Sequence, residues 1–372
     1  MERIKVLEVI RQGQIGGGES HVLDLIDCLD KERFEPIAMS FTGGHMIDTL
    51  QARGIKCIVI ETQKAFDIKV QKKIAETIKE KKIQLIHAHG SRAASNMLYT
   101  AHKLHIPMVY TVHGWSFHQD QSWLIRKLRA WSEKLICKSA RKIICVSESN
   151  KQTGIKTFGL KNSIVIENGI NLSRFNPDIP QSSIRQELGI EEKTFLVGEI
   201  CRLTLQKAPL DFVKSIEIAH KENPDIKGLL IGEGDMQEEV NSYIQQNQLQ
   251  SIIYTSKFRT DIPAVLNSID VYCQPSLWEG LSIALLEAMA MKKAIVATPT
   301  DGTCEVLTNN ENGTVVDYNN PDQLAKAYLA YYNNPEIQRR HGEAASTYIK
   351  QRFDARRVAR QVEDIYQETL MP

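Results

Sequence analysis

The chain has 372 residues, with 46 Lys and Arg against 45 Asp and Glu, 42% apolar and 24% charged. That composition suits a globular protein with two domains of ordinary size, and no apolar run approaches the ~20 residues of a membrane-spanning helix. Glu2 and Glu8 interrupt the first apolar run, so the N-terminus reads as a strand rather than a signal peptide, and seven cysteines without a C-x-x-C pair read as reduced core residues of a cytoplasmic protein.

In chain order, short β-branched runs alternate with helical patterns. Strands are expected at Ile4–Ile10, Pro36–Phe41, Lys56–Ile60, Gln84–Ala88, Met108–Val112 and Lys142–Val146, with helices such as His21–Leu29, Val70–Glu80 and Ala93–Lys103 between them. The strands are continuous apolar runs, as in parallel sheets covered on both faces. Turn formers and two prolines collect over 171–184 and mark a polar linker. The pattern restarts with Thr194–Cys201, Lys227–Ile231, Ile252–Thr255, Asp270–Gln274 and Ala294–Ala297, alternating with helices such as Ala208–His220 and Met236–Gln246. This repetition predicts an α/β protein of two doubly wound, Rossmann-like domains, residues 1–175 and 176–353, with a charged tail helix over 354–372. Residues 1–178 hold 27 of the 46 basic and 18 of the 45 acidic residues, so a basic half is joined to an acidic one, and the first half is expected to meet something anionic. Nothing in the pattern suggests nucleic acid.

Two glutamates, Glu279 and Glu287, are separated by seven residues in P-S-L-W-E-G-L-S-I-A-L-L-E-A-M-A, Pro275 to Ala290. Glu279 lies in a turn after an apolar strand, and Glu287 lies among good helix formers. On an ideal helix the two would be ~12 Å apart along the axis and roughly 80° apart around it. Carboxylates so placed could hold separate hydroxyl-bearing parts of one elongated ligand through charge-assisted hydrogen bonds.

This segment resembles the E-x7-E signature of the retaining GT-B glycosyltransferases, glycosyltransferase family 4. The resemblance implies a GT-B architecture, two Rossmann-like domains facing a central cleft, with the tail helix crossing back to the first domain. It implies transfer of a sugar from a nucleotide diphosphate-sugar to a glycan, lipid-linked or small-molecule acceptor. Glu287 would hold the ribose, while Glu279, Gly280, Leu281 and Ser282 would hold the donor sugar. Smaller matches follow in order along nearly the whole chain: V-S-E (Val146–Glu148), I-E-N-G-I-N (Ile166–Asn171), L-I-G-E-G-D (Leu230–Asp235) and E-V-L (Glu305–Leu307) before Asn312-Gly313. Glu167, Asp301 and Lys292-Lys293-Ala294 depart from the common Pro, Gly and G-K-P.

Gly16-Gly17-Gly18 follows the first strand and opens a helix, where bare backbone and the helix N-terminus favour an anion. The motif lacks the dinucleotide fingerprint of an NAD enzyme, and it resembles the family's G-G-x-E entry, which approaches donor phosphates and acceptor. Arg202 and Lys207 follow the first strand of the second half, at a strand's carboxyl end where α/β sheets bind ligands. They match R-L-x-x-x-K-G with Ala208 for the last Gly, and would stabilise the leaving diphosphate. His113 ends a strand in T-V-H-G, resembling T-x-H-D, and would lie by the donor sugar; the usual Asp is Gly114. His87 and His89 are read as mainly structural. With no D-x-D motif, neither a metal nor a cofactor is expected.

Ser122–Lys142 carries a stripe of Leu124, Leu128, Trp131 and Leu135 among seven basic residues and one acid. The stripe is expected to pack into the first domain's core. An interfacial helix resting on anionic lipid at the inner membrane face stays open beside that reading, with Trp115, Phe117 and Trp123 as exposed-aromatic candidates. Rival functions are a sugar-nucleotide epimerase or phosphorylase on the same fold, and a non-catalytic sugar-nucleotide-binding protein.

Overall fold

A computed structural model describes residues 2–14, 16–118, 121–180 and 183–371. Gln181 and Ser182 of the expected linker and Pro372 of the tail lie outside the described residues. The chain forms two compact units, Met1–Gly169 with Ala355–Pro372, and Ile170–Asp354.

The first unit holds seven strands: β1 (Ile4–Ile10), β2 (Phe34–Ser40), β3 (Lys56–Val59), β4 (Leu85–His89), β5 (Met108–Val112), β6 (Lys142–Cys145) and β7 (Ser163–Val165). All are parallel, in the order β3-β2-β1-β4-β5-β6-β7. The second unit holds β8 (Phe195–Ile200), β9 (Ile226–Ile231), β10 (Ile253–Ser256), β11 (Val271–Gln274), β12 (Ala294–Ala297) and β13 (Thr314–Val315), again all parallel, in the order β10-β9-β8-β11-β12-β13. Each sheet reverses its winding beside its first strand, between β1 and β4 and between β8 and β11, where such sheets open a crevice at the strands' carboxyl ends. The expected strands fall within two residues of the observed ones. The short edge strands β7 and β13 were not anticipated, because two or three residues carry no periodicity to read.

Alternation along the strands sorts side chains between layers. Leu7, Val9, Ile86, Ala88, Tyr110 and Val112 point into one core. Val6, Leu85 and Val109 point the other way, against Leu25 of helix Gly17–Cys28 and Val358, Val362, Ile365 and Tyr366 of helix Ala355–Leu370. The tail helix is thus a structural layer of the first unit. Gly169 lies so close to it that a Cβ there would stand 2.6 Å from the Ala355 Cα. The described residues of the expected linker are anchored: Phe175 is buried, and the Asn267 amide donates to the carbonyls of Pro177 and Ile179.

Two departures from the family glycines fall on left-handed backbone. Ala208 has φ +51° and Lys292 φ +57°, conformations in which an L side chain costs about 1–2 kcal/mol. Ala208 joins the short turn Leu205–Lys207 to helix Pro209–Glu222, whose proline suits the first helical position. Relief of strain exceeds the entropy lost to a more flexible unfolded chain. Ala208→Gly is therefore expected to stabilise the second unit by about 0.5–1 kcal/mol in a denaturant titration; a loss of stability would contradict the strain.

Candidate active site

In the second unit the β8 loop carries Arg202 and Lys207, and the turn after β11 carries Glu279. Lys207 forms an ion pair with Glu279, whose Oε1 also accepts from Ser276 Oγ at 2.9 Å. The Gln206 amide donates to the Trp278 carbonyl at 2.8 Å, and the Leu277 amide donates to the Gln206 carbonyl at 2.8 Å, so the two loops are stitched together. Burial pulls the Lys207 ammonium towards neutrality, but the Glu279 charge and hydrogen bond outweigh it and raise its pKa. Arg202 is half-buried and has no ion-pair or hydrogen-bond partner among the described residues, which leaves its planar fork available to an anion.

Close backbone approach shapes this loop pair. A Cβ on Gly232 would collide with the Cys201 carbonyl, and one on Gly234 with the Leu203 carbonyl, so both glycines of L-I-G-E-G-D press on the segment holding Arg202. A Cβ on Gly302 would collide with the Gly280 carbonyl, fixing the turn beside Glu279. Ser282 caps helix Ile283–Ala290, its Oγ accepting from the Leu285 amide. Only Glu287, largely buried, lies in that helix. The ideal-helix separation expected for the two glutamates therefore does not apply, since Glu279 precedes the helix in a turn.

In the first unit the carboxyl ends of β1, β4 and β5 bring together residues that the sequence did not connect. Glu8 faces His87 across the β1–β4 register, and both are fully buried. Glu8 accepts from the Tyr366 hydroxyl at 2.6 Å and pairs with His89 Nε2 at 3.0 Å. His87 bonds Tyr366 through Nδ1 at 2.6 Å and Thr111 through Nε2 at 2.7 Å. His89 Nδ1 lies 3.3 Å from His113 Nε2, and the ring of His21 stands 4.9 Å from that of His113. His21 belongs to the helix that Gly16-Gly17-Gly18 opens, so the glycines and His113 share one end of the sheet. A Cβ on Gly18 would meet only Ile10 at 3.6 Å, an ordinary contact, so packing does not demand glycine there. Nothing lies within 4 Å of a Cβ at Gly114, so its departure from Asp leaves space rather than strain.

Burial alone would raise the Glu8 pKa, but the charges and hydrogen bonds of His87 and His89 hold it well below the carboxylate range. Burial lowers His21 to about 3 and His89 to about 4, and with the neighbouring histidines takes His113 well below its usual value. Ligand atoms of His21, His89 and His113 lie within 4.8 Å of one another, as do those of Glu8, His87 and His89, a spacing that admits a metal ion. His89, common to both groups, already has Nε2 facing Glu8 and Nδ1 facing His113 in hydrogen-bond geometry.

Sequence reasoning missed Glu8, His21, Thr111 and Tyr366 as members of this network. The available signal was a lone carboxylate inside the strand I-K-V-L-E-V-I, which burial on both faces forces to find partners. It also misoriented the helix Trp123–Ser139. Leu124, Leu128 and Trp131 are 70%, 65% and 59% exposed, and Trp123 is exposed as well, so the stripe does not pack into the core. Trp115 and Phe117, expected candidates for exposure, are buried. The reason is Glu133, about 180° round the helix from the stripe. It is fully buried and accepts from the Tyr110 hydroxyl at 3.0 Å, the Ser116 amide at 3.2 Å and the Ser91 hydroxyl.

Two Rossmann-like units with all-parallel sheets, cations after β8 and a carboxylate turn after β11 define a protein of the GT-B class. The family model described as Glycosyltransferase Family 4 matches residues 15–174, and the model described as Glycosyl transferases group 1 matches residues 180–348. The chain is a GT-B glycosyltransferase of the family 4 type. It is 25% identical over 339 residues to the UDP-Gal:alpha-D-GlcNAc-diphosphoundecaprenol alpha-1,3-galactosyltransferase of Escherichia coli, across 88% of this chain and 87% of that protein. Its fold is similar to Anabaena HepE, solved in complex with UDP and glucose, with a TM-score of 0.87 at 21% identity over 98% of this chain and 100% of that one. Sucrose-phosphate synthase from Thermosynechococcus elongatus aligns with a TM-score of 0.79 at 18% identity, over 98% and 99% of the chains.

Glu199, buried on β8, behaves oppositely to Glu8: burial pushes its carboxyl up to about 8, and the Cys201 thiol and Lys207 charge offset this only in part. The folded unit keeps this proton to about pH 8, whereas an exposed glutamate releases it near 4.5. Its stabilising contribution is full at low pH and lost as pH rises through 8. Glu199→Gln should raise the melting temperature at pH 8.5 by several degrees and at pH 5 by much less; equal shifts at both would refute the assignment.

Proposed function

We propose that the chain transfers a sugar from a nucleoside diphosphate-sugar to a hydroxyl acceptor with retention of configuration and without a metal ion. The observation that carries this reading is the Arg202, Lys207 and Glu279 constellation at the crevice of the second sheet. Arg202 and Lys207 supply the positive charge that the departing diphosphate requires, the task a metal performs elsewhere. Glu287 takes the ribose hydroxyls; Glu279 and the backbone from Gly280 to Ser282 take the sugar; His113 contacts that sugar; and Gly16, Gly17 and Gly18 face phosphate and acceptor. The acceptor oxygen forms the new bond to the anomeric carbon as the bond to the phosphate oxygen breaks, and the acceptor proton passes to the leaving phosphate on the same face. UDP is the proposed nucleotide, supported by the UDP complex of HepE and the UDP-galactose enzyme of E. coli.

A lipid-linked acceptor fits the helix Trp123–Ser139. It presents Trp123, Leu124, Leu128 and Trp131 outward beside Arg126, Lys127, Arg129, Lys134 and Lys138, all exposed. Apolar side chains ringed by cations suit the headgroup boundary of an anionic bilayer, which supports a peripheral position on the inner membrane face and a role in glycolipid or polysaccharide synthesis. No helix among the described residues is long and apolar enough to cross a membrane.

A thermal-shift series with UDP, GDP and ADP in chelator tests the donor. Ligand at 100 times its Kd adds about 2.7 kcal/mol of stability, and Arg202→Ala, which breaks no pair among the described residues, should weaken that nucleotide tenfold or more. No shift with any nucleotide, or one abolished by chelator, would sink the reading. Flotation with anionic vesicles should hold the protein and release Leu128→Asp/Trp131→Asp; equal recovery of both would remove the membrane from it.

A further inference from the structure

The Glu8 network does more than satisfy a buried charge, because its hydrogen bonds run in one direction. An ionised carboxylate can only accept. The Tyr366 hydroxyl occupies one oxygen; the other lies 3.1 Å from His87 Nδ1 and 3.0 Å from His89 Nε2, and an acceptor-only oxygen facing both requires each of these nitrogens to carry a proton. His89 is neutral at physiological pH, since burial pushes it down to about 4, so its Nδ1 holds a lone pair. His113 Nε2, 3.3 Å away, must then be the donor. The second nitrogen of His113, Nδ1, is left as an acceptor with no hydrogen-bond partner among the described residues, on a half-buried side chain at the carboxyl end of β5.

We propose that Glu8 is a positioning residue which, through His89, fixes His113 as the Nε2–H tautomer, so that His113 Nδ1 accepts a hydrogen bond from a hydroxyl of the bound sugar. The proposal deepens the role given to His113 above and rests on it for the ligand, though not for the tautomer. With the opposite tautomers throughout, Nδ1 of His113 would donate, and a sugar hydroxyl would have to turn its oxygen lone pair towards it. The relay therefore sets which end of a hydroxyl the site reads, and it favours a ligand that offers O–H there over one bearing only an ether, ester or carbonyl oxygen. His21 contributes no proton to this relay; its ring packs edge-on to His113, 4.9 Å between centroids, and holds the ring plane. His87, bonded to Thr111 through Nε2 and to Tyr366 through Nδ1, also brings Nδ1 within 3.1 Å of the Glu8 oxygen that His89 faces.

Long-range nitrogen–proton correlation spectra of the full chain, with 15N-labelled histidine at pH 7.5, read the tautomers directly. Wild type is expected to show His89 and His113 both protonated at Nε2; a His113 protonated at Nδ1 overturns the proposal without any variant. In Glu8→Gln, whose carboxamide can accept or donate, His113 should become a mixture of tautomers. Its kcat should drop about tenfold while affinity for the free nucleoside diphosphate, which carries no sugar, is unchanged. Tyr366→Phe, which leaves the carboxylate in place, should lose stability but keep the His113 tautomer. A Glu8→Gln protein with an unaltered tautomer and full kcat would refute the relay. A fully active His113→Ala enzyme whose parent still shows the Glu8-dependent tautomer would instead refute the sugar contact and leave the relay standing.

Discussion

An ionised carboxylate buried in the middle of a parallel sheet is the constraint on which the first unit depends. Water would hydrate Glu8 at no structural cost, whereas inside the sheet every lone pair left unmatched costs about 1–3 kcal/mol, and more for a charge. Its partners come from β4, which supplies His87 and His89, and from the tail helix, which supplies Tyr366 from 358 residues further along the chain. The tail helix is thereby tied to the first strand by chemistry as well as by Val362 and Ile365. An apolar residue at position 8 would pack on the same face as Val6, yet it would leave two histidines and a tyrosine without their acceptor.

The two sheets use the same topological feature for different electrostatics. At the β1–β4 crevice the groups are imidazoles around one screened carboxylate, so hydrogen-bond direction carries the information. At the β8–β11 crevice the groups are a paired ammonium and carboxylate beside a guanidinium with no partner among the described residues, so net positive charge carries it. Lys207 and Glu279 hold each other in place, and removing either leaves its partner as a buried uncompensated charge. The glycines at 232, 234 and 302 let the loops bearing these charges pack backbone against backbone.

Helix Trp123–Ser139 shows how one polar residue can outweigh an apolar stripe. Burying Leu124, Leu128 and Trp131 would gain each roughly 1.5–3 kcal/mol. The opposite face instead offers Glu133 three hydrogen bonds from Tyr110, Ser91 and Ser116, together with burial of Ile136 and Cys137. The apolar stripe is left as a surface, bordered by lysines and arginines. Periodicity finds such a stripe reliably, but it cannot say what the stripe faces, because that depends on which groups the neighbouring strand and loop present.

By itself the sequence determined the strand and helix order and the two doubly wound units, and it marked Arg202, Lys207, Glu279 and Glu287 as candidates for the second site, because continuous apolar runs, the E-x7-E spacing and the Arg202–Lys207 step are all local patterns. The resemblance to family 4 likewise marked Ala208 and Lys292 as departures from its glycines, though only the backbone showed that both occupy left-handed positions. Tertiary structure alone decided the rest. It selected Glu133 to orient the basic helix, joined Glu8 to Tyr366 across the whole chain, turned His89 from a strand residue into a link between Glu8 and His113, and left Glu199 protonated where Glu8 is ionised. Each of these depends on how much water and which partners a buried polar group meets, and partners are set by strand register and layer packing rather than by neighbours in sequence.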